Sequence, residues 1–233
     1  MNRVFLICLI SLLPLTSAAQ MHEIGVFLGG SNLVGDIGSR KFINTKAPVY
    51  GLIYKYNITT RYSFRGSFSY SKLENKNFYT NDLNRFLTLL GATNKIIEFS
   101  AGVEFNFFDF NLHDQDLDFS PYVYLGLNYF QYDLFYTDKN QPLDPVKYDN
   151  DIEFSIPLTI GVKAKLRPEF VLGFEIGGRY TFTDNIDGSN PVGQFETNPN
   201  LKHGALYNND WYVFTGLTLS FTFGRLPCYC KEK

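Results

Sequence analysis

The sequence predicts an all-β protein: an eight-stranded antiparallel up-and-down transmembrane β-barrel. Three observations predict it. Apolar and polar residues alternate with period two, over as many as fifteen residues in a row, far beyond the usual strand of about five or six. The connections alternate between short and long, the habit of outer-membrane barrels. The polar faces carry as many acids as bases, a balance that a narrow interior requires because a lone buried charge costs several kcal/mol.

The elements follow in order. Residues 22–30 set Ile24, Val26 and Leu28 against Glu23, Gly25, Phe27 and Gly29. Residues 48–56 set Tyr50, Leu52, Tyr54 and Tyr56 against Gly51, Ile53 and Lys55. Residues 61–71 set Tyr62, Phe64, Phe68 and Tyr70 against Ser63, Arg65, Ser67 and Ser69. Residues 96–108 oppose Ile97, Phe99, Val103 and Phe105 to Glu98, Ser100, Gly102 and Glu104. Residues 121–136 oppose Val123, Leu125, Leu127 and Tyr129 to Tyr122, Tyr124, Gly126 and Asn128. The run 152–166 alternates strictly, with Glu153, Ser155, Pro157, Thr159, Lys163 and Lys165 on its polar face; Pro157 disfavours a regular ladder there. Residues 169–182 place Gly173, Glu175, Gly177 and Arg179 on one side. In 211–223 Phe214 and Thr215 each interrupt an otherwise clean alternation.

The connections 57–60, 109–120 and 167–169 are the shorter ones, and 31–47, 72–95, 137–151 and 183–209 the longer. An even strand number then puts both chain ends on the short-turn side, which in this architecture is periplasmic. A soluble lipocalin-like barrel would turn its apolar faces inward. Two features argue for the reverse. Aromatic residues gather near strand ends, at Tyr50, Tyr56, Tyr62, Phe107, Tyr129, Phe182 and Trp211, as in interfacial girdles. The opposite faces carry Glu23, Glu98, Glu104, Glu153 and Glu175 with Lys55, Arg65, Lys163, Lys165 and Arg179. An eight-stranded barrel is just wide enough inside for side chains, so these ten are expected to pair in the interior, and no conduction is expected.

The start, "MNRVFLICLISLLPLTSAAQ", reads as a signal peptide over 1–19, with Ser17 and Ala19 before the cleavage point. Residues 20–223 form the outer-membrane barrel and 224–233 a periplasmic tail. The formal charge of −2 gives no reason to expect a nucleic-acid partner. Histidines number three, His22, His113 and His203, and no nucleophile and base can be assembled from them. The run "HDQDLDF" lacks the glycine and distal Glu of a calcium loop. No enzyme activity, cofactor or metal is expected. Within the second long connection, Leu83, Phe86, Leu87 and Leu90 stand at helical spacing, which predicts a short amphipathic helix folded over the barrel mouth or docking a partner.

Cys228 and Cys230 sit in the tail, and the remaining cysteine, Cys8, lies in the signal peptide. A bridge between positions two apart departs far from preferred disulfide geometry. Two sulfurs without nearby histidine make a poor metal site. An unpaired thiol in an oxidising compartment points to a bond with another chain.

The stretches "EIGVFLGGSNLVGDIG" (23–38) and "LTLSFTFGRLPCYCK" (217–231) resemble the PorG-like outer-membrane proteins of the Bacteroidetes type IX secretion system. The resemblance implies a barrel that is not itself the translocation pore. It implies association with the periplasmic ring of the PorK lipoprotein and PorN, and a part in gliding motility in some relatives. It also implies a disulfide from Cys228 or Cys230 to the ring lipoprotein. The alternative is a small surface barrel that binds ligand or host through its long loops.

Overall fold

The computed structural model describes residues 21–34, 45, 47–74, 93–112, 116–138, 141–188, 190–202 and 209–224. Eight strands close into one antiparallel barrel in chain order: β1 (Met21–Val34), β2 (Ala47–Asn57), β3 (Tyr62–Glu74), β4 (Thr93–Asn106), β5 (Phe119–Asp138), β6 (Gln141–Arg167), β7 (Phe170–Thr181) and β8 (Trp211–Phe223). The ring shuts where β1 pairs with β8, from His22↔Phe223 to Val34↔Trp211. The start of β1 and the end of β8 therefore lie together at the end bearing the short turns.

Alternation decides the faces. Successive side chains point to opposite sides of a strand, and each strand keeps its phase. The outward side exposes Leu28, Leu52, Phe68, Phe99, Leu127 and Phe174 in a continuous apolar wall, with Leu127 66% exposed. The inward side buries Glu, Lys, Arg, Ser and Asn. A water-soluble barrel would reverse this; apolar outside and ionic inside is the arrangement of a membrane-spanning barrel. Among the described residues no helix is long and apolar enough to cross a membrane. Aromatic rings collect at both rims. Tyr62 packs on Phe105, and Phe170 on Phe221, toward the short turns; Tyr180 packs on Trp211, and Tyr129 on Phe154, toward the long connections.

Two local expectations change, and a third holds on one side of its strand. Residues 137–151 are largely strand rather than loop: β5 and β6 continue as a projecting hairpin, with Phe135↔Lys147 and Tyr136↔Val146 opposed and register shifts after Leu134 and Tyr136. Two prolines and several acids in 141–151 hid this arm, since they depress strand propensity without preventing a solvent-facing ribbon. Phe214 does not break the alternation of β8. It lies inward, in phase with Tyr212 and Gly216, and is buried. Pro157 interrupts only one ladder. Opposite β5 the pairing skips from Leu125↔Leu158 to Asn128↔Ser155, whereas on the other side Pro157 stays opposite Arg179. The missing N–H thus costs a local gap and leaves β6 continuous.

Candidate functional site: the filled lumen and its two closures

Glu104 on β4 is fully buried and is the centre of the short-turn half of the lumen. Its carboxylate takes Lys55 Nζ at 2.8 Å from β2 and Lys163 Nζ at 2.7 Å from β6. Arg65 Nη1 approaches it at 3.4 Å. The same guanidinium grips Glu175 of β7 with two parallel bonds of 2.8 Å, the bidentate geometry that makes arginine–carboxylate pairs strong. Tyr122 Oη donates to Glu175 Oε2 at 2.6 Å. Aromatic faces complete the shell: Lys55 lies 5.2 Å from the Tyr122 ring centre and Arg65 4.9 Å from that of Tyr124, within cation–π range. Tyr124 in turn hydrogen-bonds Ser100. Tyr122 fits because Gly161 faces it; a Cβ there would stand 2.6 Å from the ring.

The long-loop half is built differently. One acid–base pair, Arg179 Nη2 to Glu98 Oε1 at 3.0 Å, is set among aromatic rings. Tyr212 Oη donates to Glu98 Oε2 at 2.7 Å, and Asn128 Nδ2 reaches both Glu98 and Tyr212. Arg179 stacks on Phe214 at 4.2 Å. Above this pair Phe27, Ile53, Phe130, Tyr132, Phe214 and Ile186 belong to one packed apolar cluster.

Each end is closed by a connecting segment. At the short-turn end Phe110 and Leu112 pack on Val171, and Phe110 covers Lys163 at 4.7 Å. Lys165 Nζ donates to the Asn111 carbonyl at 2.6 Å and to Asp118 Oδ2 at 3.3 Å. At the opposite end Ile186, from the β7–β8 connection, is fully buried. Asn94 Nδ2 donates to the Ile186 carbonyl at 2.7 Å and holds it there. The same connection leans on the projecting hairpin: Phe195 packs on Tyr136 and Tyr148, and the Val192 amide donates to Tyr148 Oη.

The ten charges expected to pair inside divide as follows. Lys55, Arg65, Glu98, Glu104, Lys163, Glu175 and Arg179 form the pairs above, and Lys165 pairs with Asp118. Glu23 is buried, but it accepts from Asn57 Nδ2 at 2.8 Å rather than from a cation. Lys55, opposite it across the β1–β2 ladder, is drawn to Glu104 instead. Glu153 is half-buried and enters no ion pair among the described residues, because β6 has by then left the closed lumen for the hairpin arm. Asp118, in a turn, supplies the balancing charge beside Asn111 and Lys165 under the barrel.

His22 lies in the rim at the short-turn end, bonded to Tyr54 Oη at 2.8 Å and stacked near Tyr56 and Phe223. His113, His203, the helix expected around 83–90, residues 1–19 expected as a signal peptide, Cys228 and Cys230 lie outside the described residues. Among the described residues no three or more His, Cys, Asp or Glu side chains form a metal-holding group. On the outer surface of the short-turn end, Arg61 clasps Asp109 at 2.6 Å. Its hydrogen bond holds the Asp109 carboxyl below the usual carboxylate range.

The family model described as "Domain of unknown function (DUF6089)" matches residues 2–232. The chain belongs to the DUF6089 family. Among solved structures it resembles Neisserial surface protein A (NspA) at 12% identity, with 88% of this chain and 97% of that chain covered and a TM-score of 0.50. It also resembles Ail, the attachment invasion locus protein of Yersinia pestis, at 14% identity, covering 88% and 99% with a TM-score of 0.48. At 12% identity the likeness to NspA is one of fold alone. No curated protein matches the sequence.

Proposed function

We propose that this DUF6089 protein is a non-enzymatic outer-membrane component of the type IX secretion system. On this reading its barrel fixes the periplasmic ring of PorK-like lipoprotein and PorN-like protein to the membrane. The observation that carries the reading is the filled lumen. Ion pairs, aromatic rings and a packed connecting segment at each end occupy the tube among the described residues, which supports a barrel that works through what is attached to it rather than by conducting solutes. Supporting this, both ends of the barrel's chain leave on the short-turn side. The cysteine-bearing tail then emerges there, in the periplasm, beside the ring. The resemblance at 23–38 and 217–231 supplies the partner. The tail couples to it through a disulfide from Cys228 or Cys230, and relatives use the assembly in gliding.

The test is extraction in mild detergent with and without reductant, followed by non-reducing gels. A high-mass species containing the ring lipoprotein is expected, and Cys228→Ser/Cys230→Ser should abolish it. Persistence of that species in the double variant would sink the tail linkage. Steady conductance through the purified barrel in a planar bilayer would sink the anchor reading.

The projecting hairpin, braced by Phe195 against Tyr136 and Tyr148, favours a second reading, a surface barrel that binds through its long-connection end. Deleting 190–202 while sparing the tail separates the two: secretion survives if the tail is the working part and fails if the braced arm is.

A further inference from the structure

The β7–β8 connection contains the run Thr183, Asp184, Asn185, Ile186, Asp187, Gly188. It turns sharply: the Gly188 amide donates to the Asn185 carbonyl at 3.3 Å, and Gly188 has φ of +75°. Asp210, the residue before β8, is aimed into this turn from the other side. Its backbone is pinned, with Asp210 N donating to the Thr183 carbonyl at 3.0 Å and Thr181 Oγ1 donating to the Asp210 carbonyl at 2.7 Å. Its Oδ2 accepts the amides of Ile186 and Asp187 at 2.9 and 3.3 Å.

The other oxygen, Asp210 Oδ1, is buried and has no hydrogen-bond partner among the described residues, although the residue is fully enclosed. Asn185 is also buried, and among the described residues neither its amide oxygen nor its amide nitrogen has a partner. Asp187 is buried beside them. Asp210 makes no ion pair among the described residues. Burial first, and then the charges of Asp187 and Asp184, push its carboxyl well above the ordinary range. A buried oxygen with neither donor nor cation loses its hydration without return. Here that oxygen, an idle amide and a second buried carboxylate belong to one turn and its brace.

We propose that this turn binds a hard divalent cation, Ca²⁺ in preference to Mg²⁺, through Asp210 Oδ1, the Asp187 carboxylate and the Asn185 amide oxygen. Backbone carbonyls and water complete the shell, and Asp184 adds negative charge nearby. The chemistry follows from the donors. All are oxygens, which suit Ca²⁺ or Mg²⁺ and not the nitrogen and sulfur preferences of zinc. Fewer than three carboxylates converge, so amide and carbonyl oxygens must contribute, as calcium's larger and more adaptable shell allows. A turn made of consecutive residues bends to fit calcium more readily than it forms the rigid octahedron of magnesium. The consequence is mechanical: the cation locks the segment that carries Ile186 into the lumen.

Trp211 is the only tryptophan and immediately follows Asp210, which supplies an optical reporter. Full-length barrel folded in detergent and stripped of divalent ions is titrated with Tb³⁺ as the probe for calcium. Saturable terbium emission on tryptophan excitation is expected. Ca²⁺ should displace it at concentrations where Mg²⁺ does not, and Ca²⁺ should raise the thermal midpoint. Both Asp210→Asn and Asp187→Asn should weaken terbium binding by about tenfold or more, since affinity follows the ligand charge count. Because Asp210 also caps backbone amides, its variant can fail to fold; Asp187→Asn, verified as folded by circular dichroism, then decides. Absence of tryptophan-sensitised emission overturns the proposal. So does emission of equal midpoint in the folded Asp187→Asn variant, which would place terbium on other carboxylates.

Discussion

The two halves of one tube are filled by different physics. In the short-turn half, Glu104 gathers two lysines and an arginine while Glu175 takes the same arginine in a fork. In the long-loop half the pair Glu98 with Arg179 sits beneath packed Phe27, Phe130, Phe214 and Ile186. The difference teaches that a narrow barrel needs a full interior rather than a polar one. Ions serve where strands of opposite charge face each other. Aromatic rings serve where a loop can bring an apolar stopper such as Ile186. The two solutions fail differently. A missing ion leaves its partners charged and dry, whereas a missing ring leaves a hole.

The largest expected effect comes from breaking the ionic half. Glu104→Gln leaves Lys55, Lys163 and Arg65 without their shared acceptor, and removing one partner of a buried pair typically costs about 3–5 kcal/mol. Urea unfolding in detergent, followed by gel mobility of unheated samples, measures it. A loss under about 1 kcal/mol would mean that water reaches Glu104 and that the half is not dry. Next is Phe214→Ala in the aromatic half, expected to cost about 3 kcal/mol. It also strips Arg179 of the ring 4.2 Å away. If the halves are independent fillings, the double variant loses the sum within about 0.5 kcal/mol. A larger coupling would show that Tyr124 and Ser100 join them into one network.

The ionic half was the readable one. Lys55, Arg65, Glu104, Lys163 and Glu175 alternate with large apolar residues, and an ionised group fits only the face away from lipid, so period two assigns it. The same logic fails for Phe214, Phe130 and Tyr132. An aromatic ring is at home on either wall, and nothing local tells a lumen ring from a lipid-facing one. Strand phase alone could have placed Phe214, by counting two from Gly216. Glu153 and Asp118 show the second blind spot. Period two puts Glu153 on the inner face, but where the barrel ends along β6 depends on its neighbours. Asp118 enters only because its turn folds beneath the lumen, a tertiary fact with no sequence period. The closures by Ile186 and Phe110 were hidden for the same reason.

A smaller effect separates inside from outside. Gly161 and Gly178 are both strand glycines, one under the Tyr122 ring and the other with open space where its Cβ would point. Gly161→Val is expected to push Tyr122 off Glu175 and cost about 1–3 kcal/mol. Gly178→Val, on the outer wall, is expected to leave the unfolding midpoint unchanged or to raise it. Equal losses at the two positions would break the inside–outside assignment of β6 and β7.

The smallest effect concerns charge outside the tube, where the Arg61–Asp109 clasp joins the β2–β3 and β4–β5 turns. The pair is exposed, so water and salt screen it, in contrast to the enclosed Glu104 cluster. The Asp109 carboxyl is lowered first by the hydrogen bond from Arg61; its charge and the Thr60 hydroxyl, 3.2 Å away, act in the same direction. A carboxyl depressed in the folded state contributes stability that is present above its unfolded pKa of about 3.9. That contribution is lost as pH falls through the lower folded value. Arg61→Gln should therefore raise the Asp109 titration midpoint toward the ordinary range, read by carbon NMR of labelled aspartate, and should leave stability at neutral pH nearly unchanged. Adding salt to the unaltered protein should move the midpoint the same way. A midpoint indifferent to both would mean that the clasp does not persist in solution, and that only enclosed charges in this barrel hold their partners.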